Sequence, residues 1–169
     1  AEIAAALGLP EEAANWKARA NALSEAIQHI LWSAEDQCYY NVDRETGDFY
    51  RRVSYSSFWP LYAGLAPQTD GQAMIRRYLL SEQHMRSPHG LRSLSASDPD
   101  YNNKNIILPF SNWQGPIWIP ALVVYAGGML NYGFKEELRP IAVETARLLL
   151  KDLDTFDTMH ENYHAISRS

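Results

Sequence analysis

The sequence predicts a mainly α-helical chain, an α/α toroid-like succession of helices interrupted by one small β-hairpin. Three segments carry that expectation. Residues 11–32 repeat apolar positions at helical spacing, residues 116–131 are almost continuously apolar between a proline and a glycine, and residues 135–153 show a second amphipathic pattern. Alternation of an internal helix with amphipathic ones suggests an α/α toroid, while periodicity alone leaves other helical bundles open.

In chain order, Ala1-Glu2-Ile3-Ala4-Ala5-Ala6-Leu7 reads as a short helix of strong helix formers, with Gly8 as its cap and Pro10 opening the next. That next helix spans Glu11–Trp32: Trp16, Ala20, Leu23, Ile27 and Ile30 mark one face, and Glu11 and Glu12 complement the macrodipole in the first turn. Trp16 and Trp32 lie on this stripe and are expected in the core. Cys38–Asp43 and Phe49–Val53, rich in aromatic and β-branched residues, flank the Gly-containing turn Arg44–Asp48 and read as a hairpin. Helices resume over Ser56–Leu65, with Pro60 inside or near the start and Trp59 open to a core or a site role, and over Thr69–Leu80. Ser81–Gly115 shows no sustained period, and a long irregular loop of this kind is often functional. Pro116 is expected to open an internal helix running to about Asn131 and ending at Gly133. The last helix covers Lys135–Leu153, with Leu138, Ile141, Thr145, Leu148 and Leu149 on its buried side and Pro140 in the first turn or at a kink. The tail from Asp154 to Ser169 is polar and is expected to hold no core element.

Composition sets the bounds. With 169 residues the chain supports one domain with a real core, residues 1–169, and 46% hydrophobic with 21% charged residues places it among soluble globular proteins. A net charge of -5 offers no basic excess for a phosphate backbone, so no nucleic-acid partner is expected. The apolar run Ile117–Leu130 is too short and too interrupted by Pro120, Gly127 and Gly128 for a membrane span. Cys38 is the sole cysteine, which excludes an internal disulfide and a cysteine-based zinc cluster and leaves cytoplasm and periplasm both open. No phosphate-binding glycine loop, helical His–Glu metal motif or Gly-x-Ser-x-Gly elbow occurs.

Three segments stand out as candidate chemistry: Gly90-Leu91-Arg92-Ser93-Leu94-Ser95 with Asp98-Pro99 and Tyr101-Asn102; Asn112-Trp113-Gln114-Gly115-Pro116-Ile117-Trp118; and His160-Glu161-Asn162-Tyr163. Asp98 and Asp100 are clustered carboxylates, for which a turn role at Asp98-Pro99 is the favoured reading over a local acid. His160 and His164 make a weak metal pair, and hydrogen bonding or exposure is the favoured reading.

In order and spacing these segments resemble glycoside hydrolase family 63, the family of processing α-glucosidase I and the mannosylglycerate hydrolases, and more distantly the family 37 trehalases. Leu31-Trp32 leading into Tyr39-Tyr40, and Phe58-Trp59-Pro60-Leu61 with Ala63-Gly64-Leu65, add to the likeness. The resemblance covers almost the whole chain. It implies a partial (α/α)6 toroid of the six-hairpin-glycosidase type, the C-terminal part of a catalytic domain with the barrel not closed by this chain alone. It further implies inverting hydrolysis of an α-linked O-glycoside, with Glu161 as general base and no metal or organic cofactor. Trp113, Gln114, Trp118, Arg92, Tyr163 and His160 fall to the substrate, with Trp113 and Trp118 candidates for stacking on a pyranose ring. The sequence departs from the family where many relatives carry Tyr-Trp-Arg-Gly-Pro and this chain has Asn112-Trp113-Gln114-Gly115-Pro116, which removes a guanidinium fork. The family's general-acid aspartate has no counterpart in these residues. A carbohydrate partner is therefore expected, together with self-association into a homo-oligomer or docking on a missing N-terminal half. The alternative is a non-catalytic fragment that self-associates or binds carbohydrate weakly.

Overall fold

The computed structural model describes residues 1–167; Arg168 and Ser169, the end of the polar tail, lie outside them. The chain opens with α1 (Glu2–Ala6), turns at Gly8, whose φ of 71° suits a residue without Cβ, and enters α2 (Pro10–Leu31) with Pro10, Glu11 and Glu12 in the first turn. The helix is as expected, but the burial of its stripe is not. Only the C-terminal end meets the core, through Ile27 and Leu31, while Trp16, Leu23 and Ile30 are 48%, 62% and 53% exposed. Trp16 is thus no core residue; the Arg19 guanidinium lies over its ring at 4.7 Å.

The expected hairpin divides in two. Strand β1 (Trp32–Ser33) pairs antiparallel with β2 (Cys38–Tyr39), and β3 (Asn41–Val42) with β4 (Phe49–Tyr50). The Tyr40 N–H donates to the Leu31 carbonyl, which turns the first half of the expected strand back toward α2. The second turn closes on Asp43, whose carboxylate accepts the N–H groups of Glu45 and Thr46. Trp32 packs partly buried against the core, as expected.

A 3-10 turn, Tyr55–Phe58, leads into α3 (Trp59–Tyr62), followed by α4 (Gln68–Met74) and a π-helical turn, Ile75–Leu79. Pro60 occupies the first turn of α3, where its missing N–H costs nothing. Strands β5 (Arg86–Ser87) and β6 (Gly90–Leu91), then β7 (Ile106–Ile107) and β8 (Phe110–Ser111), form short hairpins within the long irregular segment.

The expected internal helix begins later than Pro116. Ile117–Trp118 is an extended strand, β9, and α5 covers Ile119–Asn131 with Pro120 as its N-terminal proline. Its burial is one-sided: Val124, Tyr125 and Met129 are in the core, whereas Val123 and Leu130 are exposed. Gly127 and Gly128 let α3 lie against α5; a Cβ on Gly127 would stand 2.4 Å from the Tyr62 ring. The last helix, α6 (Lys135–Phe156), buries Ile141, Thr145 and Leu148 with Leu138 and Leu149 packed alongside, as expected, and contains Pro140.

The tail corrects the expectation that it holds no core element. Strand β10 (Asn162–Tyr163) pairs antiparallel with β9, and Tyr163 and Ala165 join Ile117 and Leu148 in a second buried cluster. The main cluster is centred on Phe58, Leu61, Ile75, Tyr125 and Met129. No helix among the described residues is long and apolar enough to cross a membrane.

Candidate active site

The β9–β10 pair sets the site. It places Asn162 opposite Trp118 and Tyr163 opposite Ile117, so the end of the Trp113–Trp118 segment meets the two residues that follow Glu161. Glu161 immediately precedes β10 and is exposed. The Ser111 hydroxyl donates to its Oε2 at 2.5 Å, across 50 residues of sequence, and Ser111 ends β8. The carboxylate is thereby fixed toward the loop that carries Trp113.

Trp113 is stacked on Trp118 with ring centroids 3.8 Å apart and planes 13° from parallel, and Tyr55 approaches it at 4.8 Å. Trp113 keeps 37% of its surface exposed, but Trp118 keeps 3% and donates its indole N–H to the Asn112 carbonyl at 2.8 Å. This corrects the pairing of the two as sugar platforms: Trp118 gives its face to Trp113 and has none left for a pyranose.

The other expected contacts divide in the same way. Arg92 is buried, and its guanidinium donates to the Tyr101 hydroxyl and to the carbonyls of Glu82, His84 and Arg86. Its donors tie three stretches of loop together, so its expected contact with a substrate hydroxyl or carboxylate gives way to a role inside the fold. Gln114 is half-buried; its Oε1 accepts from the Asn102 amide at 3.2 Å, and its carbonyl accepts the Asn102 N–H at 2.7 Å. Asn112, buried, donates to Asn102 Oδ1 and the Lys104 carbonyl and accepts the Gln114 N–H on its own Oδ1. Asp98 takes the turn role, accepting the Asp100 N–H, and Arg52 pairs with both carboxylates.

Behind Glu161 stands a cluster in which His160 and Tyr163, expected at the substrate, instead meet Asp152, a residue that the sequence did not single out. Asp152, buried at the end of α6, accepts the His160 backbone N–H at 2.7 Å and the Tyr163 hydroxyl at 2.9 Å, and both its oxygens lie 2.8 Å from His160 Nδ1. Burial pushes the Asp152 carboxyl up, but the hydrogen bonds from His160 and Tyr163 outweigh it and hold the group below its ordinary value. Burial, with the adjacent Asp152 carboxylate, pushes the Tyr163 phenol up to about 12. His164 Nδ1 accepts the N–H groups of Ile166 and Ser167, so the two histidines serve separate partners, and among the described residues no group of His, Cys, Asp or Glu is arranged to hold a metal. A signal for Asp152 existed: it continues the buried Ile141, Thr145, Leu148 stripe of α6, where a carboxylate demands a partner. Ser111 had none, because its contact exists only through loop geometry.

The family model described as mannosylglycerate hydrolase MGH1-like glycoside hydrolase domain matches residues 1–166. The cytosolic neutral trehalase of Kluyveromyces lactis is 28% identical over 151 residues, covering 85% of this chain and 19% of that protein. The mannosylglycerate hydrolase of Rubrobacter radiotolerans is 26% identical over 151 residues, covering 88% of this chain and 32% of that protein. Among solved structures, the GH63 mannosylglycerate hydrolase from Thermus thermophilus in complex with Tris is alike in fold, with a TM-score of 0.77 and 23% identity over 99% of this chain and 37% of that one. The chain spans well under half the length of each of these relatives.

Proposed function

Because the chain belongs to the mannosylglycerate hydrolase MGH1-like glycoside hydrolase family, we propose that it forms the base-bearing part of an inverting hydrolase of α-linked O-glycosides, with Glu161 as general base. The observation that supports this most directly is the juxtaposition of an exposed carboxylate, fixed by Ser111, with the half-open face of Trp113 two residues along the same loop. In this reading a water attacks the anomeric carbon and gives its proton to Glu161 as the new C–O bond forms. The glycosidic C–O bond breaks on the opposite face, where a second carboxyl, about 6.5–9.5 Å from the base, protonates the departing oxygen. Asp98 and Asp100 are engaged by Arg52 at a turn and are not assigned the acid, which the family resemblance puts in an earlier segment.

The names of the relatives make trehalose and mannosylglycerate the first substrates to try, beside α-glucosides and α-mannosides. The test uses the protein that carries this chain. Glu161→Gln is expected to lower kcat by about 10²–10⁴-fold, the usual contribution of general base catalysis. The sugar whose anomeric carbon is attacked, followed by NMR, is expected as the β anomer. Retention of configuration, or an unchanged kcat, refutes the reading.

The apolar face of α2 favours a second reading for the 169 residues taken alone: a non-catalytic, self-associating unit. Trp16, Leu23 and Ile30 present an uncovered stripe, which favours association with a second copy or with further helices of a toroid.

A further inference from the structure

Asp152 is a buried carboxylate that the proposed reaction does not use. It stands on the last turns of α6, in line with Ile141, Thr145 and Leu148. Its partners lie in the tail, Tyr163 within the second buried cluster and His160 exposed. They are the residues that bracket Glu161: the backbone N–H and Nδ1 of His160 on one side, and the hydroxyl of Tyr163 on the other. The His160 N–H also reaches the Tyr163 hydroxyl oxygen at 3.1 Å, which closes the loop over the carboxylate. From the opposite direction Asn162 and Tyr163 are held by β9, and Asn162 Nδ2 donates to the Asn105 carbonyl at 3.0 Å.

We propose that Asp152 is the positioning residue of Glu161, fixing the backbone on both flanks of the base through His160 and Tyr163. The proposal rests on the reading of Glu161 as general base. A base works only within hydrogen-bond reach of the proton it takes, about 2.6–3.2 Å. A misplacement of ~1 Å by a residue remote from the chemistry costs on the order of 10²-fold. Without Asp152 the His160–Tyr163 segment keeps its pairing with β9, the Asn162–Asn105 bond and the Ser111 contact of Glu161, but it loses its polar anchor to α6.

The test again uses the protein that carries this chain. Asp152→Asn keeps the shape and removes the charge; it is expected to lower kcat by about 10- to 100-fold while KM changes by less than about 2-fold, because the Trp113 platform is untouched. Tyr163→Phe removes one link and keeps the ring, and should give the same split in milder form. Glu161→Ala with added azide isolates the mechanism. Azide bonds to the anomeric carbon without releasing a proton, so it needs no base, while the departing oxygen still takes its proton from the acid. In that background Asp152→Asn is expected to leave the azide-dependent rate within about 2-fold. An azide rate that falls as far as hydrolysis does, an unchanged kcat in both Asp152→Asn and Tyr163→Phe, or KM rising as far as kcat falls overturns the proposal. Full activity in Glu161→Ala, or no azide-dependent turnover by it, instead sinks the assignment of the base.

Discussion

The indole of Trp113 lies on that of Trp118 at 3.8 Å, and Trp118 hands its N–H to the carbonyl of Asn112, the residue before Trp113. The two rings share one stack, yet one faces solvent and the other does not. Their substitutions should therefore separate binding from stability. Trp113→Ala is expected to raise KM about tenfold, equivalent to ~1.4 kcal/mol, with a small change in melting temperature. Trp118→Ala should cost about 3–5 kcal/mol of stability by emptying a buried site. Steady-state kinetics and chemical denaturation read the two, and equal effects on both quantities would contradict the division.

At Gly115 the loop admits no side chain. Its φ is 143°, and a Cβ there would stand 2.0 Å from the Asn102 carbonyl oxygen. Gly115→Ala must displace the backbone that Gln114 and Asn112 tie to Asn102, and is expected to cost about 1–3 kcal/mol. Urea titration measures it; a neutral result would mean that the loop re-forms elsewhere.

The depressed pKa of Asp152 makes its contribution to stability depend on pH. Because the folded value lies below the unfolded one, that contribution is present above about pH 4 and is lost as pH falls through the folded value. The melting temperature of Asp152→Asn should fall short of the parent's by a constant margin near neutrality, and the margin should narrow below about pH 4. A margin that is unchanged in acid, or that grows, would contradict the ionised state of Asp152.

The α2 stripe gives the last prediction. The 169 residues alone are expected to self-associate, and Leu23→Lys with Ile30→Lys to shift them toward monomer in light scattering after size exclusion. A parent chain that is monomeric at all concentrations tested would remove the self-associating reading.

How much was legible in the sequence varies by element. The helix of α2, the buried side of α6 and the turn at Arg44–Asp48 follow from spacing and from residue type, which are local properties. Glu161 was found through the motif His160-Glu161-Asn162-Tyr163, and Trp113 through Asn112-Trp113-Gln114-Gly115-Pro116. Spacing could not tell Trp113 from Trp118, because both lie in the same short segment and only packing decides which ring is covered. Arg92 was placed at the substrate by the family motif, and in the structure its guanidinium meets the carbonyls of the single stretch Glu82–Arg86 and the Tyr101 hydroxyl.

The sequence by itself determined the helical class, the family motifs and the identity of the candidate base, because periodicity and motif order are carried along the chain. Tertiary structure alone decided that the tail returns as β10 beside β9, that Ser111 reaches Glu161 across 50 residues, and that the apolar face of α2 stays uncovered among the described residues. Those outcomes depend on which distant surfaces meet, and no local pattern of residues encodes that meeting.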